Sequence, residues 1–158
     1  MECVFCKSIQ QECKLHLPIK QGKLAPVSMH DVVHGWMKLM EMYQKHSFDE
    51  LPQSHKHSIM CYTGPKLICG PKLAGEVSAV LSTKLCFQHV SEDELCRHLK
   101  QPGELSREEI EGFVKVMYNI REGHLEEQTK DLEKLVGNKP MHLHNFLEHH
   151  KDKPKPLQ

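Results

Sequence analysis

The sequence carries no net charge: 21 lysines and arginines balance 21 aspartates and glutamates over 158 residues. Binding to nucleic acid or to an anionic membrane surface calls for a clustered basic excess, so neither partner is expected. Aromatic residues are scarce at 6%, and hydrophobic content is 39%. That is a modest supply for a core, although the length suits one domain. No apolar run approaches 18 residues, so no transmembrane helix is expected. The opening Met1-Glu2-Cys3-Val4-Phe5-Cys6-Lys7 lacks the apolar stretch of a secretory signal. Without secretion, the seven cysteines read as thiols rather than a disulfide framework, and their odd number agrees. The expected location is intracellular, cytoplasmic or nuclear.

A phosphate cradle is also missing. Gly64, Gly70 and Gly75 stand too far apart for the G-x-G-x-x-G turn of a dinucleotide site. Glu76 follows Gly75, where a P-loop needs Lys and then Ser or Thr. A carboxylate there repels phosphate, so no cofactor is expected from the residues themselves.

What is present is a run of helices with two or three short strands, a helix-rich α/β pattern too poor in strands for a self-sufficient doubly wound sheet. Residues 1–23 lack periodicity and are expected to be poorly ordered. Residues 24–150 form the folded part, and the Pro- and Lys-rich 151–158 form a disordered tail. Ser28, with Asp31 three residues on, marks a helix start. Val32, Val33, Trp36, Met37, Met40 and Tyr43 fall on one face of that helix and read as its core stripe. Ile59-Met60-Cys61-Tyr62 reads as a strand, broken at Thr63-Gly64-Pro65. Gly70-Pro71 opens the next helix with Pro where its missing N–H costs nothing. Residues 84–90 alternate loosely as a strand. Ser91 with Glu94, and Ser106 with Glu109, are capping boxes for two further helices. Gly123 and Gly137 close the later ones, and Leu143, Phe146 and Leu147 form the inner side of the last.

Four constellations could carry chemistry. Tyr62-Thr63-Gly64-Pro65-Lys66 matches the Tyr-x-x-x-Lys pattern of short-chain dehydrogenases. That chemistry needs an unbroken helix to set Lys one turn from Tyr, and Gly64-Pro65 breaks it. No catalytic residue is assigned. Cys3 and Cys6, with Cys13 and His16, supply two pairs of zinc-type ligands. The competing account is reduced thiols in a loosely ordered terminus, because only six residues separate the pairs. His142, His144, His149 and His150 read as a solvated histidine-rich surface, since no acidic or cysteine set accompanies them. Met37, Met40 and Met42 beside Trp36 read as core.

The order of features carries a family resemblance. Gly22-Lys23-Leu24-Ala25-Pro26-Val27-Ser28-Met29-His30-Asp31-Val32 resembles a polar turn, short strand and helix start of NmrA-like proteins, the atypical short-chain dehydrogenase/reductases. Tyr62-Thr63-Gly64-Pro65, the helix from Lys72 to Leu81, and Val90-Ser91-Glu92-Asp93-Glu94-Leu95 follow in that family's order. So do the Ile110–Gly123 helix, the step from Asp131 to Pro140, and Phe146-Leu147-Glu148-His149-His150. The likeness spans roughly residues 15–150 and is to the C-terminal, substrate-side half only. The N-terminal Rossmann half, which carries the family's glycine-rich loop, has no counterpart here.

The resemblance therefore implies a partial Rossmann-type fold. Ser28, Asp31, Thr63, Gly64 and Pro65 enter it as structural positions, and NADP or NAD enters by family likeness alone. The expected role is that of a truncated, non-catalytic relative acting through a protein partner that covers exposed helix faces. The alternatives are a component of an NAD(P)H-dependent oxidoreductase completed by a Rossmann-bearing partner, and a small zinc module at residues 3–16.

Overall fold

The computed structural model describes residues 12–45, 50, 58–100 and 105–151. The described elements run β1 (Lys14–Leu17), β2 (Lys23–Leu24), α1 (Met29–Lys45), β3 (Ile68–Cys69), α2 (Gly70–Leu81), β4 (Cys86–His89), α3 (Glu92–Lys100), α4 (Arg107–Arg121), α5 (Asp131–Val136) and α6 (Leu143–His150). The helix-rich α/β class holds, with short strands in two pairs. β1 and β4 are parallel, with Lys14 opposite Cys86 and Leu17 opposite His89. β2 and β3 are antiparallel, with Lys23 opposite Cys69 and Leu24 opposite Ile68.

The expectation of poor order through residue 23 is corrected from Lys14 onward. Leu15, Leu17 and Ile19 belong to the main core, with Ala74 of α2, Leu95 and Leu99 of α3, and Ile110, Met117 and Ile120 of α4. The signal was missing because β1 is covered on both faces. His16 is as buried as its leucine neighbours, so the in–out alternation of a half-exposed strand does not arise. A tight turn follows, in which the Gly22 amide donates to the Ile19 carbonyl at 2.8 Å.

A second correction concerns Ile59–Tyr62, which forms no strand and pairs in no described sheet; Ile59 is almost fully exposed. The strand lies later, at Ile68–Cys69, immediately before α2. The backbone of 61–64 takes its hydrogen bonds from side chains and from a neighbouring loop, which answers the same polar-satisfaction demand without a ladder.

Local signals elsewhere were sound. Ser106 and Glu109 form the reciprocal capping box of α4. The Ser91 hydroxyl accepts the Glu94 amide at 3.2 Å. Gly123 and Gly137 take positive φ, 80° and 84°. One tie was not foreseen: Ser78 Oγ donates to the Ala74 carbonyl at 2.6 Å and accepts the Leu85 amide at 2.9 Å. It stitches α2 to the start of β4. Arg121 on α4 meets Glu92 of α3 at 2.7 Å. On α6, His144 pairs with Glu76 of α2 at 3.2 Å, and the His150 ring stacks on Phe146. His144 thus ties the last helix to α2, while the His150 contact stays within α6. Among the described residues, no helix is long and apolar enough to cross a membrane. The disordered tail expected at 151–158 lies, beyond Lys151, outside the described residues.

Candidate functional site

The chain converges where the start of α1, the 61–65 turn and the start of α5 meet. Ser28 and Asp31 form a local cap: Ser28 Oγ accepts the Asp31 amide at 3.0 Å and donates to Asp31 Oδ2 at 2.7 Å. The same carboxylate oxygen accepts the Met141 amide at 2.8 Å, across 110 residues. Asp31 thus ties the start of α1 to the approach to α6.

The turn is anchored in the same manner. The Gly64 amide donates to the Ala25 carbonyl at 3.0 Å. The Thr129 amide donates to Thr63 Oγ1 at 2.9 Å, and the Thr129 hydroxyl donates to the Cys61 carbonyl. Asp131 Oδ2 accepts the Cys61 amide at 3.1 Å. Thr129 therefore does not cap α5. Its side chain is committed to the opposite strand of backbone, and α5 begins after Lys130 without a side-chain cap.

Gly64 is required by close approach: a Cβ there would lie 1.9 Å from the Pro26 carbonyl oxygen. Gly70 is likewise filled from the protein side, because its Cβ would meet the Phe87 ring at 2.3 Å. A dinucleotide cradle needs glycines whose open side faces phosphate. Here the open sides face protein, so these residues do not fit that cofactor.

Tyr62 lies against α1. A Cβ on Gly35 would come within 2.9 Å of Tyr62 Cε2 and 2.8 Å of Leu132 Cδ1. The phenol oxygen is buried with no hydrogen-bond partner among the described residues. Burial first, and then the charge of Asp131, push its pKa above the ordinary phenol value. A proton-transfer tyrosine needs the opposite shift, supplied by a nearby cation. The charge neighbour of Lys66 is Lys72, whose own pKa it lowers by hydrogen bonding and by repulsion. The Tyr62 and Lys66 pair is thus split between different surroundings.

Of the zinc-type set, Cys3 and Cys6 lie outside the described residues. Cys13 is exposed at the edge of β1, whereas His16 is buried within it and packs edge-on to His98 at 5.1 Å between ring centroids. Among the described residues, no group of three or more His, Cys, Asp or Glu side chains is arranged to hold a metal.

The apolar stripe of α1 requires a third correction. Trp36 is 61% exposed, Met37 59%, Met40 53%, Val33 49% and Tyr43 47%. Val33, Trp36, Met37 and Met40, with Glu41 and Gln44, line a shallow hollow of about 360 Å³. The helix attaches to its own domain by the other side, where Gly35 is buried against Tyr62 and Leu132. The signal was available in part, since Val32, Gly35, Leu39 and Met42 trace a second face at helical spacing. Periodicity alone does not say which of two apolar faces goes inward. Asp131 and Thr129 had no local signal, because their partners lie 66–70 residues away.

The fold defines a class. Over 94% of this chain and 50% of the other, it superposes on an NADPH-dependent quinone oxidoreductase from Escherichia coli with a TM-score of 0.78 at 17% identity. Over 94% and 48%, it superposes on the Citrobacter sp. triphenylmethane reductase complexed with NADP(H), with a TM-score of 0.76 at 15% identity. A nucleoside-diphosphate-sugar epimerase from Staphylococcus aureus gives 0.73 at 16% identity, over 91% and 46%. The chain matches no protein-family model and no curated protein. In fold, it resembles about half of each of these solved structures, and it spans about half their length.

Proposed function

We propose that the chain is a non-catalytic counterpart of the C-terminal half of an NmrA-like reductase and works through contacts with protein. The observation that carries this reading is how the polar groups of the joint are used. Asp31, Thr63, Thr129 and Asp131 each hydrogen-bond backbone groups of the same chain, and Asp31 also takes the Ser28 hydroxyl. The phenol of Tyr62 is turned into the interior, while a large apolar face of α1 is left open. Calorimetric titration with NADPH and with NADH tests the reading. No heat of binding and no shift of the unfolding transition are expected; a clear heat with either nucleotide overturns it.

A second reading has its own support. The proteins of similar fold are about twice as long, and β1 with β4 forms only a two-stranded parallel ribbon, whereas parallel strands usually sit within larger covered sheets. A separate chain bearing the dinucleotide half could complete an oxidoreductase. Co-purification from the native source followed by a reductase assay tests it; recovery of activity only in the complex favours this reading over the first.

A further inference from the structure

We infer that α1 is a self-association helix, through which two copies of this chain pair antiparallel about a two-fold axis. The inference rests on the reading of the chain as a protein-contact module and names the contact.

The spacing comes first. Met29, Val33, Trp36, Met40 and Tyr43 are separated by 4, 3, 4 and 3 residues. That is the 3.5-residue average repeat of a helix–helix seam. The seam is not used within the domain, because the buried Gly35 side of α1 makes that attachment. All five side chains, and Met37 beside them, are 47–73% exposed. Six large side chains at that exposure present about 600–700 Å² per copy, taking roughly 200 Å² for a fully exposed one. A pair would then bury about 1,200–1,400 Å², within the lower part of the range for specific interfaces.

Charge also allows a self-pair. The helical positions that flank the seam hold His30, Met37 and Gln44 on one side and Val32 and Leu39 on the other. None is Lys, Arg, Asp or Glu, so copies do not meet with like charges facing. Glu41, at the rim of the hollow, is already partnered by Lys38 at 3.6 Å. Trp36 and Met37 lie at the middle of the 17-residue helix. An antiparallel two-fold therefore sets each indole beside the methionines of the other copy, a favourable contact for a polarizable thioether. The opposed helix dipoles favour the same direction.

Trp36 is the sole tryptophan, so the wild-type chain reports its own state. Sedimentation equilibrium of the full chain in reducing buffer should show a monomer–dimer equilibrium between about 1 and 200 μM, the span of weak to moderate association. Over the same dilution the tryptophan emission should move to the red. Trp36→Lys and Met40→Lys should each weaken the dimer by roughly 30-fold or more, as central contact residues do. Far-UV dichroism and the monomer's unfolding midpoint should stay unchanged, because both side chains face outward. A chain that remains monomeric throughout overturns the inference, even if another protein occupies the stripe. So does a dimer whose tryptophan emission ignores dilution, or one that both substitutions leave intact. Nucleotide binding is the separate readout: a monomer that binds no NADPH loses only the pairing, whereas a heat with NADPH removes the protein-contact reading itself.

Discussion

Tyr62 packs edge-on into the space left by Gly35. The ring's Cε2 sits where a Cβ on Gly35 would be only 2.9 Å away, with Leu132 Cδ1 closing the other side at 2.8 Å. Through this contact the 61–65 turn, α1 and α5 are fastened at one point, and α1 is held by its less conspicuous face.

Substitution at two helical glycines should therefore have opposite signs. Gly112 on α4 has open space around its Cα, so Gly112→Ala gains helix propensity and should raise stability by about 0.5–1 kcal/mol. Gly35→Ala gains the same propensity, but it drives a methyl into a rigid ring. Overpacking costs of about 1–3 kcal/mol should outweigh the gain. Urea unfolding of both variants measures the difference, and a stabilised Gly35→Ala would show that the ring yields.

Gly64 permits less relief, because its obstacle is the Pro26 carbonyl rather than a side-chain tip. Gly64→Ala must displace backbone at the Ala25–Gly64 hydrogen bond. A loss of about 3 kcal/mol or more is expected, in the range of severe packing changes. The check is a lowered denaturant midpoint accompanied by faster amide exchange at Gly64's hydrogen bond.

Asp31 holds a local and a distant donor with the same oxygen. Asp31→Ala leaves the Met141 amide and the Ser28 hydroxyl without their acceptor while the Ser28 cap on the residue-31 amide remains, and should cost about 2 kcal/mol. Asp31→Asn retains one acceptor oxygen and should cost less. Hydrogen exchange at Met141 separates the two roles: exchange should accelerate strongly in Asp31→Ala. Ser28→Ala should weaken the cap while leaving Met141 protected.

Alkaline pH should loosen the joint. The phenol of Tyr62 has its pKa raised by burial and by Asp131, so the folded state favours the protonated form. The associated stability is fully present below the unfolded phenol value near 10, and it is lost as pH rises through the higher folded value. Urea midpoints should therefore fall more steeply above about pH 10 in wild type than in Tyr62→Phe. At neutral pH the Phe variant should match wild type or exceed it slightly, since the hydroxyl it removes is buried without a partner.

Sequence alone determined the features that depend on near neighbours. The start of α2 at Gly70-Pro71, the capping box of Ser106 and Glu109, and the stops at Gly123 and Gly137 are set by backbone conformation and by donors within one turn. The ordered motifs also pointed to a helix-rich half of a reductase-type fold, which the superpositions support as fold. Only the tertiary structure decided the rest. β1 joins the core because Leu15, His16 and Leu17 are all buried, which erases alternation. Residues 61–63 form no strand: Thr129 and Asp131, far along the chain, take both backbone groups of Cys61 and the Thr63 hydroxyl. On α1, two apolar faces compete at the same periodicity. The missing Cβ of Gly35, into which Tyr62 and Leu132 fit, turns that face inward and leaves Trp36 and its methionines outside.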